Sequence, residues 1–202
     1  DTGDTGDTGD TGDTTLVFTA LGVGATHSCG LKPDGKIHCW GDNERGQLDA
    51  PEGTFTSLAI GGSHGCALDE EGTPTCWGWN EFGQRDLTGT YVSLTAGTGH
   101  TCGLDLEGVA TCVGGGADVP LDVPPEATFF EALSAGATHT CGLLADNSVV
   151  CWGTMRSPPL LELTTISSGD EFICGETPTG HPNCSGDDTF GQVADTPTST
   201  HT

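Results

Sequence analysis

Cysteine, histidine and aspartate are the residues of this 202-residue chain whose types and spacing could do chemistry, and each of them recurs at a fixed interval. The 10 cysteines form pairs ten residues apart: Cys29 with Cys39, Cys66 with Cys76, Cys102 with Cys112, Cys141 with Cys151, and Cys174 with Cys184. Cysteine with nearby histidine is zinc-site chemistry, but the close C-x-x-C spacing of such sites is absent. An even count in regular pairs points instead to disulfides formed in an oxidising compartment. Four histidines, His27, His64, His100 and His139, each stand two residues before the first cysteine of a pair. One equivalent slot per repeat distributes such residues through the fold, which favours a structural hydrogen bond between repeats over a shared metal or catalytic cluster. Aspartate recurs at every third position of residues 1–13, an Asp-Thr-Gly run. Asp4, Asp7, Asp10 and Asp13 could supply oxygen ligands to calcium, the one cofactor these residues suggest, though not in the EF-hand pattern. The same triplet carries the catalytic aspartate of aspartic proteases, but here no apolar strand flanks it to bury a carboxylate pair. No nucleophile elbow and no phosphate-cradling loop appears, so the chain reads as a binder and not an enzyme.

The cysteine pairs need elements that place them opposite one another. The residue just past the midpoint of each pair is Gly35, Gly72, Gly108, Asn147 or Gly180. These are the residue types that tolerate positive φ and close tight hairpins. A turn between paired cysteines sets them opposite on antiparallel strands, where Cα separations of about 4.5–5.5 Å suit a disulfide. Each such staple contributes about 2.5–3 kcal/mol on the chain-entropy view. Upstream of each hairpin runs one more short strand and then a glycine: Phe18 to Gly24, Phe55 to Gly61, Tyr91 to Gly97, Phe130 to Gly136, and Leu163 to Gly169. The marker glycines lie 37, 36, 39 and 33 residues apart. Each copy therefore reads as three short strands, with no sustained helical period anywhere. A sheet that small buries its faces only against neighbouring copies.

Trp-Gly follows the second cysteine at Trp40-Gly41, Trp77-Gly78 and Trp152-Gly153, and Gly-Gln recurs at Gly46-Gln47, Gly83-Gln84 and Gly191-Gln192. Together with Gly-x-x-His, these motifs resemble the regulator-of-chromosome-condensation repeat over roughly residues 15–197, and the short blades look most like its bacterial secreted branch. The resemblance implies an all-β propeller, here of about five three-stranded blades, each with a disulfide inside its hairpin. That family usually closes seven blades, which leaves open how five copies close. Val113 replaces the tryptophan of copy three, and copies three and four lack Gly-Gln. The three tryptophans in the repeated slot read as packing between blades. Trp79 stands outside the pattern and is the candidate for a surface contact.

The expected organisation is a tail over residues 1–13, a five-repeat propeller over 14–197 and a short end at 198–202. Net charge is −24, from 29 Asp and Glu against 5 Lys and Arg. A field of that sign repels nucleic acid and anionic membrane surfaces. No apolar run is long enough to span a membrane. The chain opens on Asp1 without a signal peptide, which reads as a processed or trimmed start. The expected location is extracellular or on a bacterial cell surface, and the expected partners are copies of the chain itself or another extracellular protein. Two roles fit. In one, the segment Asp1, Thr2, Gly3, Asp4, Thr5, Gly6, Asp7, Thr8 and Gly9 joins copies, head to tail, into a ring or fibre. In the other, the tail is a lipoprotein-type spacer displaying a monomeric protein-binding propeller.

Overall fold

A computed structural model describes residues 16–116, 121–125, 129–155 and 162–194. These residues fold as five three-stranded antiparallel sheets with no helix among them. Blade one holds β1 (Ala20–Val23), β2 (His27–Leu31) and β3 (Ile37–Gly41); blade two holds β4 (Ser57–Ile60), β5 (His64–Leu68) and β6 (Pro74–Gly78). Blade three holds β7 (Ser93–Ala96), β8 (His100–Leu104) and β9 (Ala110–Gly114); blade four holds β10 (Phe130–Ala135), β11 (His139–Leu144) and β12 (Val149–Gly153). Blade five holds β13 (Ser167–Ser168), β14 (Phe172–Glu176) and β15 (Pro182–Gly186). The expected tail, with its candidate calcium ligands Asp4, Asp7, Asp10 and Asp13 and its candidate assembly segment 1–9, lies outside the described residues.

Each hairpin turns where the sequence places its turn residue. Gly35, Gly72, Gly108 and Gly180 all have φ near +80°, and Asn147 has φ +67°. The paired cysteines are register partners in every blade, with Cα atoms 4.0–4.1 Å apart, and all five disulfides are formed.

Period-two alternation gives every blade two unlike faces. The face carrying the disulfide looks forward to the next blade. In blade one it includes Cys29, Leu31, Ile37 and Cys39, which pack against Phe55, Leu58, Ile60 and Trp77 from the rear face of blade two. The same relation sets Leu104 and Ala110 against Phe130 and Trp152, and Leu143 and Val149 against Leu163 and Ile173. The core is therefore not central. It is a series of seams, one between each pair of successive blades, and the hydrophobic burial that holds the molecule together lies in them.

Backbone bonds fasten each seam at two levels. Near the axis, Ala25 N–H donates to Gly62 O, Gly62 to Gly97 O, Thr98 to Ala137 O and Ala137 to Asp170 O, all at 3.0–3.1 Å. At the rim, Phe55, Tyr91, Phe130 and Leu163 each donate to the turn residue of the preceding hairpin, at 2.7–2.9 Å. No equivalent bond joins blade five to blade one among the described residues, and β1 is not seated against β13 as it is against β4. The five blades form an open arc around a shared axial hollow of about 400 Å³.

Candidate interaction surface

The repeated histidines sit where the blades meet. Each ring lies against the marker glycine of its own blade, and a Cβ added to Gly61, Gly97 or Gly136 would collide with that ring and with the carbonyl oxygen of the next blade's marker glycine. His64 Nε2 is 2.8 Å from Thr101 Oγ1, and Thr101 donates its hydroxyl proton to Gln84 O, also at 2.8 Å. The hydroxyl must then accept from the ring, so His64 carries its proton on Nε2. His100 Nε2 meets Thr140 Oγ1 in the next seam. Burial holds both rings well below the usual histidine range, at about 4, and the neighbouring ring in the ladder adds to the effect. His27 and His139 are lowered by burial as well, with Asp42 and Asp170 respectively opposing. Their ring nitrogens have no hydrogen-bond partner, because the next blade offers Gly65 or Ile173 where blades three and four offer a threonine. The expected bond between repeats is thus made by two of the four histidines. Among the described residues no group of three or more His, Cys, Asp or Glu could hold a metal ion.

The Gly-Gln motif is the socket of each seam. Asn43 caps its loop by accepting from Leu48 N–H and donating to Asp49, while Gln47 accepts from Arg45 N–H and donates to Asp42. This presents the Gln47 carbonyl to the next blade, where Trp77 Nε1 donates to it at 3.0 Å. Gly78 and Gly114 lie so close to Gln47 and Gln84 that a Cβ would press on them. The missing Gly-Gln of blade three has a visible effect: Trp152 Nε1, which stands where Trp77 stands, is buried with no acceptor.

Trp79 is half-buried, just after β6. Arg45 of the preceding loop lies over its ring at 4.4 Å, and Phe82 meets it edge-on at 4.8 Å. The sequence picked out Trp79 but not Arg45, whose contact depends on two adjacent Gly-Gln loops coming together. A separate groove of about 580 Å³ lies between the hairpin tips of blades two and three, among Glu70, Glu71, Leu106 and Glu107.

Blade one and blade five complete the surface. Among the described residues no blade lies behind the rear face of blade one: Trp40 is 42% exposed where Trp77 is 3%, Val23 is 75% exposed, and Phe18 and His38 flank the Trp40 ring. Beyond blade five, Phe190 is 90% exposed and Gln192 is accessible, where Gln47 and Gln84 are wholly buried. The Asp187–Gln192 loop is nevertheless fully formed, with Gln192 accepting from Phe190 N–H and donating to Asp187, and it borders a hollow of about 310 Å³.

The repeat model described as "Regulator of chromosome condensation (RCC1) repeat" matches residues 18–47, 55–84 and 130–157, which are blades one, two and four. No curated protein matches the sequence. Among solved structures, the chain is similar to the entire ectodomain of the Physcomitrella patens receptor kinase CR4, with 28% identity and a TM-score of 0.73, covering 84% of this chain and 50% of that one. It is also similar to the CRINKLY WD40 ectodomain of the Arabidopsis thaliana receptor kinase ACR4, with 26% identity and a TM-score of 0.70, covering 88% and 66%. Prp20p of Saccharomyces cerevisiae, reported with its binding properties to Gsp1p and histones, shares the fold at 17% identity and a TM-score of 0.65, covering 84% and 58%. This chain therefore spans from half to two thirds of the length of these structures. Three of the five blades match that repeat and the other two are built to the same plan, so the chain is a repeat β-propeller with RCC1-like repeats.

Proposed function

We propose that this chain is an extracellular structural and interaction protein that works by binding, and that its partners include copies of itself. The observation that carries the reading is the disulfide inside every blade, joined to a likeness to two receptor-kinase ectodomains. Disulfides at this density belong to oxidising compartments, which favours secretion or display on a bacterial surface. The end faces of the arc, exposed among the described residues, support self-association. In this reading the acidic segment 1–13 joins copies, and Asp4, Asp7, Asp10 and Asp13 bind calcium at the joint. Electron microscopy of the chain with and without residues 1–13, each with calcium and with chelator, tests it. Filaments lost with the tail are the expected result; single particles under every condition would remove self-assembly from the function.

The Arg45–Trp79–Phe82 cluster favours a second reading, a displayed module that captures another protein. Tryptophan and arginine at a partly exposed site are the residues that anchor interfaces. Trp79→Ala would then abolish capture of that partner while the disulfides and fold stay intact.

A further inference from the structure

Two equivalent grooves open between successive hairpin tips, and their walls are unlike. Each is floored by a leucine of one blade and an aromatic residue of the next: Leu31 with Phe55 between blades one and two, and Leu68 with Tyr91 between blades two and three. The hollows measure about 420 and 580 Å³ respectively. The first is bordered by Lys32 and Asp34 from one tip and by Thr56 and Glu70 from the next blade, a polar set of mixed charge. In the second, Val92 stands where Thr56 stands and Leu106 where Glu70 stands, as the matching backbone bonds of the three blades show. Leu106 is 83% exposed and Val92 54%, so two large apolar side chains are held in water at the groove. Glu70 and Glu71 border it from blade two and Glu107 from blade three. All three are exposed, and among the described residues none of them has a hydrogen bond or an ion pair. No Lys, Arg or His is among the described residues that line this second groove.

We propose that the groove between blades two and three docks a basic segment of another protein, one that sets an apolar side chain against Val92 and Leu106 and its lysines or arginines against Glu70, Glu71 and Glu107. Charge complementarity chooses this occupant. The carboxylates come from both tips, so a single cation cannot answer them all. An extended segment can, because residues two apart share a face and place basic side chains on either side of an apolar one. The net charge of −24 draws such a segment in from a distance and repels a second copy of the chain. Val92 and Leu106 add the contact that charge alone does not supply, since docking removes their apolar surface from water. The groove between blades one and two is a comparison built into the same molecule: it has the same floor, but Lys32 on its rim and no apolar pair on its wall. The inference rests on the second reading above, capture of another protein, and adds a contact at the hairpin tips, at the far end of β6 from the Arg45–Trp79–Phe82 cluster.

Short random peptides displayed on phage are selected against the full-length chain, and those recovered are measured by fluorescence anisotropy on the chain and four variants. Val92→Thr with Leu106→Glu gives the groove the residues of its polar counterpart. Glu70→Lys with Glu107→Lys reverses its rim. Glu81→Lys alters the net charge beyond the other end of β6, and Trp79→Ala removes the other cluster. Non-reducing mass spectrometry confirms five disulfides in each. The expected peptides carry lysine or arginine on either side of an apolar residue, and bind more weakly as salt rises. They should bind about tenfold or more weakly to either groove variant, and nearly as well as before to Glu81→Lys and Trp79→Ala. Peptides that bind the groove variants and the original chain alike overturn the inference; if Trp79→Ala then abolishes their binding, capture of a protein stands and belongs to that cluster. An equal loss with Glu81→Lys reduces the effect to net charge and overturns the inference too. A selection that recovers no peptide at all overturns both the inference and the reading it rests on. Self-association seen by light scattering and weakened by Val92→Thr with Leu106→Glu would put a second copy in the groove, and overturn the basic partner.

Discussion

Blade two and blade five share a hairpin, a disulfide and a Gly-Gln loop, yet one is the interior of the molecule and the other is its boundary. In blade two the forward face is closed by Leu68, at 2% exposure, and the following loop by a buried Gln84. In blade five the same two places hold Glu176 and Gln192, both accessible to water. The difference shows that the local plan of a blade is independent of its seams. The five hairpins and their turns form the same way whether or not a neighbour covers them, although the first strand of blade five, β13, is only two residues long, while energy and specificity are decided between blades.

The largest expected effect tests that contrast directly. Leu68→Glu puts the blade-five residue into a closed seam, where an unpaired carboxylate is buried, and should lower stability by about 4 kcal/mol or more. Glu176→Leu, the reverse exchange at the open end, should change monomer stability by less than about 0.5 kcal/mol. Urea unfolding with disulfides intact reads both, and equal effects would dissolve the distinction between seam and boundary.

Next in size is the histidine ladder. His64 and His100 titrate near 4 in the fold and near 6.5 unfolded. Between those values the unfolded chain binds more protons, so stability is full above about pH 6.5 and falls as pH drops toward 4. Each ring accounts for about 3 kcal/mol of that fall. Blade five already uses Phe172 in this slot. His64→Phe should therefore flatten the acid limb of stability against pH by roughly half, measured as urea midpoints from pH 7 to 4. An unchanged slope would mean that the ladder is not the acid-sensitive element.

Smaller still, Gln47→Ala should lower stability by about 1–2 kcal/mol, because it leaves Arg45 N–H without its acceptor and takes one of three donors from Asp42 beside a seam. Gln192→Ala, which breaks the same two bonds in water, should fall within about 0.5 kcal/mol. The least effect is expected at the turns. Asn147 alone among the five turn residues is not glycine, and its φ is +67°. Asn147→Gly should stabilise by less than about 0.5 kcal/mol, because relief of the left-handed strain is partly offset by the greater chain entropy of glycine, as thermal melting would register.

The blades were legible in the sequence because everything that forms them is local. Cysteines ten apart around Gly35 or Asn147 determine a hairpin whatever surrounds it, and the marker glycines set the repeat. The histidine slot was legible only in part. That His64 and His100 find a partner depends on Thr101 and Thr140 one blade on, and His27 and His139 meet no such hydroxyl. The arc's openness was not legible, since it depends on the angle between blades, which no motif encodes. Nor was the Arg45 contact with Trp79, formed across a seam by residues 34 positions apart. A signal for the boundary was present in the one column where four leucines give way to Glu176, and it becomes readable once forward and rear faces are told apart.

Placing every disulfide inside a hairpin and none across a seam also decides how the molecule responds to pulling. Under tension from its two ends the seams are the first to part, and each blade can peel from the next. The nine residues between each cysteine pair stay out of the load path, because the bond carries the force past them. At about 3.3–3.6 Å per residue, that withholds roughly 30 Å of extension per blade. A chain that works outside the cell would thus yield blade by blade under a shearing load, lengthen by a limited amount, and keep in each fragment the strand pairing it needs to close again.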